Sequence, residues 1–169
     1  MRLKTNFLVL TAICLTSLNA MAQDHLYIMK MQSEMLRLIS TDDKDKFYEV
    51  TEALKAECQK IGDERLFYTA WGNLSTYEAT HQNYMKADDI ANQIAEYAEG
   101  QNSYWGNYDA LHVKAVNALQ KQDYEEAEGG FLKAVDFRHK YFPGESAGVD
   151  LQELMKIANH RKDQKAGLK

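Results

Sequence analysis

Gln82-Asn83-Tyr84-Met85-Lys86-Ala87 and Gln122-Asp123-Tyr124-Glu125-Glu126-Ala127 read nearly alike and stand forty residues apart. Each lies between two stretches whose apolar residues recur at helical spacing. A repeat of this period implies stacked helical hairpins, because one hairpin cannot bury its own apolar face. Such stacks hold partners along a groove more often than they perform chemistry, so the echo bears on function as well as fold.

Working outward, a forty-residue offset aligns three hairpins. Met31, Trp71 and Leu111 fall together, as do Ile28, Tyr68 and Tyr108, and Met35, Ser75 and Ala115. Asp43, Asn83 and Asp123 align at the turn, followed by Phe47, Ala87 and Ala127, then Leu54, Ile94 and Ala134. Large and small apolar residues alternate at these positions, as interlocking helices require. The spacing predicts helices near 24–40, 43–61, 64–81, 84–99, 104–121, 124–142 and 148–165, joined by short connections that make neighbours antiparallel. One proline, Pro143, and the lack of a sustained alternating pattern exclude a sheet. Gly62 and Gly100 read as helix C-terminal punctuation, and Pro143-Gly144 ends the run from Tyr124. Gly72, inside a helical stretch, marks close helix packing. The fold class is therefore all-α: a helical-hairpin solenoid of about three repeats over residues 23–145. A C-terminal capping helix and basic tail occupy 146–169, with Leu151, Leu154 and Ile157 on the apolar face and Arg161, Lys162, Lys165 and Lys169 at the end.

These features resemble the tetratricopeptide repeat. Trp71, Leu74 and Ser75 match its first-helix pattern, and Gln82-Asn83-Tyr84 with Ala87 matches its turn, with Gln for the usual Gly. Gln122-Asp123-Tyr124, Ala127, Phe131 and Ala134 match the turn and second helix. The period of forty exceeds the family's usual length of about 34, and Lys114 stands where the family prefers Leu. The resemblance implies a concave groove lined by the first helices, here Thr69, Asn73, Thr76, Asp109, His112 and Val116. Asn73 falls where chaperone-binding relatives use an asparagine, but the basic residues of a carboxylate clamp are missing, with Asp109 and Val113 at two of their places. The segment Ile61-Gly62-Asp63-Glu64-Arg65-Leu66 and the turn at 122–124 are also similar to the exported repeat region of some bacterial sensor histidine kinases.

Residues 1–22 have the order of an export signal. Arg2 and Lys4 precede the apolar stretch Phe7 to Leu15, and Ala20-Met21-Ala22 fits a cleavage site after Ala22. The apolar stretch is too short for a spanning helix, which needs about 20 residues. A lipoprotein signal would want a small residue before Cys14, where Ile13 is bulky. The expected location is periplasmic, with no membrane insertion of the mature chain. Removing Arg2 and Lys4 takes the net charge from −5 to −7, which argues against nucleic acid as a partner. Cys58 is then the remaining cysteine, with neither a disulfide partner nor a companion zinc ligand; it reads as a small packing residue.

No catalytic constellation emerges. The five histidines lack the H-E-x-x-H spacing of a zinc site, and Asp88-Asp89 and Glu125-Glu126 are adjacent pairs that point to different helix faces. No G-x-S-x-G, P-loop or dinucleotide fingerprint occurs. The expectation is no cofactor, no metal and no enzymatic activity. A deep pocket gathering His or carboxylate groups from separate helices would argue otherwise. Tyr104, Trp105 and Tyr108 follow a Gly100-Gln101-Asn102-Ser103 turn and are candidate exposed anchors for a partner peptide. The expected function is an exported protein-interaction module holding a protein or peptide partner in the groove, as in signal sensing. The alternative is a self-associating scaffold of the cell envelope; the sequence leaves the oligomeric state open.

Overall fold

The computed structural model describes residues 25–167, with side chains through residue 162. The export signal expected at 1–22 lies outside the described residues. Among them the chain is all-helical: α1 (25–38), α2 (Lys44–Ile61), α3 (Glu64–Thr80), α4 (Tyr84–Gln101), α5 (Tyr104–Gln120), α6 (Tyr124–Tyr141) and α7 (Gly148–Gly167). No described helix is long and apolar enough to cross a membrane.

Each helix from α2 to α6 packs on its successor, and α3 also packs directly on α5. Ile28, Met31, Met35 and Leu38 of α1 join Phe47, Leu54 and Cys58 of α2 and Tyr68, Leu74 and Tyr77 of α3 in one apolar cluster. A second cluster holds Ala115 and Ala118 of α5, Ala127 and Phe131 of α6, and Ile157 of α7. Cys58 is fully buried in the first cluster. Burial pushes its thiol up to about 11, so it is an unreactive thiol at neutral pH.

The turns explain the length of the repeat. Gly62, Gln82, Asn102 and Gln122 adopt left-handed conformations with φ of 74°, 62°, 52° and 63°. After each, the next residue donates its N–H to a carbonyl five residues back: Asp63 to Cys58, Asn83 to Glu78, Ser103 to Ala98 and Asp123 to Ala118. This closure satisfies orphan carbonyls at the helix end. The donor then begins the next helix. Asp63, Ser103 and Asp123 accept from the N–H groups of Leu66, Gly106 and Glu126. Asn83 is the exception, since its amide goes to Glu78. Gly100 does not end α4, contrary to expectation; it lies in the last turn and Asn102 takes the left-handed position. Asparagine tolerates that conformation through local hydrogen bonding.

Gln82 and Gln122 thus hold a backbone shape that suits glycine. Left-handed backbone costs a β-carbon-bearing residue about 1–2 kcal/mol, partly offset by glycine's greater chain entropy when unfolded. Gln122→Gly should therefore raise stability by about 0.5–1 kcal/mol, read as a higher urea midpoint at unchanged slope.

Close helix crossings rest on glycines. A β-carbon at Gly72 would lie 2.8 Å from Val113 Cγ2, so the Val113 side chain of α5 packs directly on the α3 backbone there. At Gly106 it would lie 2.5 Å from both the Tyr68 ring and Ala98 Cβ. Tyr68 is only 2 % exposed and has no room to withdraw. Gly106→Ala should cost about 1–3 kcal/mol by overpacking, measured as a lower thermal midpoint.

One polar residue ties three helices together. Glu78 on α3 is 1 % exposed. Its carboxylate lies 2.8 Å from Lys44 Nζ and 3.2 Å from Lys86 Nζ, and accepts hydrogen bonds from Tyr48 and, at 2.7 Å, from Asn83. Burial by itself would raise the carboxyl pKa. The four donors outweigh it and hold the group down at about 2.

Candidate functional site

Thr69, Gly72, Asn73 and Thr76 recur at three- and four-residue steps, so they share one face of α3. Trp105, Tyr108, Asp109 and His112 do the same on α5. Because α3 and α5 touch at Gly72 and Val113, the two faces converge on a concave pocket of about 250 Å³. Arg65 from the start of α3, Arg138 from the end of α6 and Val149 from the start of α7 complete it.

Five of the six groove positions expected from the sequence, Thr69, Asn73, Thr76, Asp109 and His112, line this pocket. Val116 does not; it packs against the cluster shared by α5, α6 and α7. The three aromatics separate. Tyr104 is 54 % exposed but outside the pocket, stacked on Tyr141 with ring centres 4.6 Å apart. Trp105 lines the pocket half-buried, stacked on Phe142 at 4.0 Å. Tyr108 is buried, so it is a wall rather than an exposed anchor.

The polar chemistry is ordered from beneath. Asp150, fully buried in the first turn of α7, accepts the Tyr108 hydroxyl at 2.7 Å on Oδ2 and faces His112 Nδ1 at 2.7 Å on Oδ1. A carboxylate can only accept, so the proton sits on Nδ1 and Nε2 is the remaining ring nitrogen. Burial, and then the hydrogen bond to Asp150, push the Tyr108 hydroxyl pKa well above its usual range, so it stays a donor. Arg138, 7 % exposed, lays its guanidinium 4.6 Å from the Tyr108 ring centre and 5.5 Å from that of Trp105. Arg65 covers Trp105 at 4.8 Å. Both arginines reach Glu145 Oε2, at 3.0 Å from Arg138 and 3.4 Å from Arg65.

Asp109 is the anomaly. Its Oδ2 is buried without a hydrogen-bond partner, as is Arg138 Nε. Burial pushes the Asp109 carboxyl up from its ordinary 3.8 to about 7; His112, Arg138 and Arg65 pull it down, and Asp150 pushes it up. Below about pH 4 the group is protonated in folded and unfolded chains alike. Between there and about 7 the unfolded chain releases a proton that the folded chain keeps, so stability falls as pH rises through that window. Asp109→Asn should remove this slope and raise stability above pH 7 by on the order of 2 kcal/mol, with pocket relaxation absorbing part of the full conversion. Urea titrations across the pH range check it.

Arg65, Arg138 and Asp150 escaped the sequence reading. Their signals were a basic residue in a first turn, an arginine among last-turn charges, and an acid opening the final helix. Arg138 near a helix C-terminus and Asp150 near a helix N-terminus have an ordinary local explanation in helix electrostatics, whereas Arg65 in a first turn runs against it. Among the described residues no group of His, Cys, Asp and Glu has the geometry to hold a metal ion. Comparison with protein-family models, curated proteins and solved structures finds no match to this chain.

Proposed function

We propose that this chain is an exported, non-catalytic interaction module of the tetratricopeptide type, taking a protein or peptide segment into the pocket between α3 and α5. In this reading α1–α2, α3–α4 and α5–α6 are three stacked hairpins closed by α7. The mature protein begins after Ala22 and works in the periplasm, as a stand-alone relative or sensor portion of a signalling system. The observation that carries the reading is the convergence of five groove positions, chosen on the repeat pattern, in one pocket with an unpaired Asp109. The pocket also gathers His112 and carboxylates from separate helices, the arrangement that would favour an enzyme. What supports binding over catalysis is that no Ser or Cys lines the pocket and no hydroxyl is hydrogen-bonded to His112, although Asp150 orients that ring as it would a general base. Thr76 gives its hydroxyl to the Gly72 carbonyl.

The test is a random peptide library selected on the wild-type chain. Selected peptides should lose at least about tenfold in affinity, 1.4 kcal/mol, with both Asn73→Ala and His112→Ala. Peptides held equally well by both variants refute the groove assignment.

A second reading has its own observation. Leu26, Met29 and Leu36 on α1 and Leu151 and Met155 on α7 are exposed apolar residues at the two ends of the helix series. A self-associating scaffold would cover them. It requires a mass that rises with concentration in sedimentation equilibrium; a strictly monomeric chain excludes it.

A further inference from the structure

Taking the pocket as the binding site, we propose that it receives a carboxylate of the partner segment, held between Arg65 and Arg138 in the place that Glu145 of the chain's own α6–α7 loop occupies. The lining residues bring two arginines and His112 together with one carboxyl group, that of Asp109. Arg65 comes from the first turn of α3 and Arg138 from the last turn of α6. Neither stands at the two places, Asp109 and Val113, where the sequence lacks the basic residues of a carboxylate clamp. One carboxylate oxygen already reaches both guanidinium groups: Glu145 Oε2 lies 3.0 Å from Arg138 Nη2 and 3.4 Å from Arg65 Nη1. The pair is therefore set for a single shared anion. Aromatic rings hold both groups in position, with Arg65 4.8 Å and Arg138 5.5 Å from the centre of the Trp105 ring.

The internal contact leaves Arg138 unfinished. Its side chain is 8 % exposed and gives Nη2 to Glu145, while its Nε is buried without a partner. A guanidinium binds a carboxylate most strongly through two parallel N–H donors, and a buried donor left unmade is costly. A carboxylate entering from the pocket takes Nε and Nη2 together. Glu145 is a replaceable occupant, because its side chain is 40 % exposed and that of Arg65 58 %. Ion pairs of such exposure contribute little. Exchanging one carboxylate for another leaves the arginine charges balanced. A cationic ligand would instead meet two arginines at the same place. The acceptors of α3, Asn73 Oδ1 and the Thr76 hydroxyl oxygen, suit N–H groups of the peptide that brings the carboxylate.

Asp109 gives the proposal a pH signature. The groups facing it are Arg65 from α3, His112 on its own helix, Arg138 from α6 and Asp150 from α7; burial is the largest influence and leaves its carboxyl at about 7. Below that pH Asp109 is mostly a neutral acid, whose O–H is a further donor to the ligand. Above it a second carboxylate repels the first. Binding therefore weakens as pH rises through about 7.

The experiment is a titration of the ¹⁵N-labelled full chain, at constant ionic strength, with acetate, chloride, acetamide and n-butylammonium. The Arg138 Nε–H signal and the backbone amides of Gly72 and Asp109 report binding. At pH 6 acetate should bind with Kd on the order of 10 mM, as so small a probe allows, and the other three at least about tenfold more weakly. Its affinity should fall up to about tenfold between pH 6 and pH 8, and Asp109→Asn should keep the pH 6 affinity at pH 8. Glu145→Gln removes the internal competitor and should tighten acetate about two- to fivefold. Arg65→Gln should weaken it at least about fivefold. Two tripeptides separate the sources of the carboxylate: acetyl-Ala-Ala-Ala offers a chain terminus, and acetyl-Ala-Glu-Ala-amide a side chain. The tighter binder identifies the source, and both should exceed acetyl-Ala-Gln-Ala-amide. Chloride matching acetate, acetamide or n-butylammonium binding best, acetate affinity unchanged in Glu145→Gln, or no probe shifting these signals would each overturn the proposal. The probe and pH series use the wild-type chain and so decide the ligand class even if a variant misfolds. If the probes fail while library-selected peptides still depend on Asn73 and His112, the ligand class falls and the groove stands. Independence of those peptides from Asn73 and His112 removes the groove itself.

Discussion

Glu78→Ala should lower the free energy of unfolding by about 3–5 kcal/mol, the usual cost of removing one partner from a buried ionic group. The side chain is 1 % exposed and serves Lys44 and Tyr48 on α2, Asn83 at the α3–α4 turn and Lys86 on α4. Its loss strands Asn83, whose amide is bound to Glu78 in place of a helix N-cap contact. It also leaves the Tyr48 hydroxyl without its acceptor; burial and the hydrogen bond to Glu78 keep that hydroxyl protonated well beyond the ordinary phenol range. The pH dependence has the opposite sign to that of Asp109. The carboxyl pKa of Glu78 is depressed from 4.5 to about 2, so its contribution is complete above 4.5 and is lost as pH falls towards 2. That contribution is about 3 kcal/mol. Acid titration of wild type and Glu78→Gln, followed by far-ultraviolet dichroism, should show the acid-labile part missing in the variant. Equal acid midpoints would remove Glu78 from the account.

Asp150→Ala should cost about 2–4 kcal/mol, because it leaves the buried Tyr108 hydroxyl unpaired and frees the His112 ring. It should also weaken pocket binding by about tenfold or more, since His112 no longer holds one tautomer and one orientation. Asp150→Asn separates the two effects. The amide oxygen can still accept one hydrogen bond, so more stability is retained, whereas its NH₂ presents a donor to the other partner. Histidine ¹⁵N shifts read the tautomer directly: Nδ1–H in wild type, and a mixture in the variants. An unchanged tautomer would show that Asp150 serves folding without ordering the pocket.

How far these features were legible depended on how local their causes are. The helices followed from apolar spacing and some of their ends from Gly62 and Pro143-Gly144, while the structure adds N-cap residues at Asp43, Asp63, Asn83, Ser103 and Asp123, at twenty-residue intervals. The Gln-Asn-Tyr and Gln-Asp-Tyr echo exposed half of that regularity. The other half was concealed because the left-handed turn residue changes from Gly62 to Gln82, Asn102 and Gln122. Gly100 misled for the same reason: glycine is the commonest residue at such a position, and here asparagine two residues later takes it.

That Thr69, Asn73 and Thr76 share one face of α3, and Asp109 and His112 one face of α5, was legible because positions three and four apart on one helix share a face whatever surrounds them. Val116 broke the pattern because α6 and α7 close over that end of α5. Tyr108 looked like an anchor because nothing near it in the chain announces Asp150, forty-two residues later.

The sequence by itself determined the helices and their order, since these arise from apolar spacing within a few residues of the chain. Only the tertiary structure decided the electrostatics of the pocket. Whether Asp109 is paired, which nitrogen His112 keeps and where Arg138 points depend on side chains brought together from α3, α5, α6, α7 and the loop holding Glu145. Desolvation and charge act through space at a few ångströms, and the chain order carries no record of those distances.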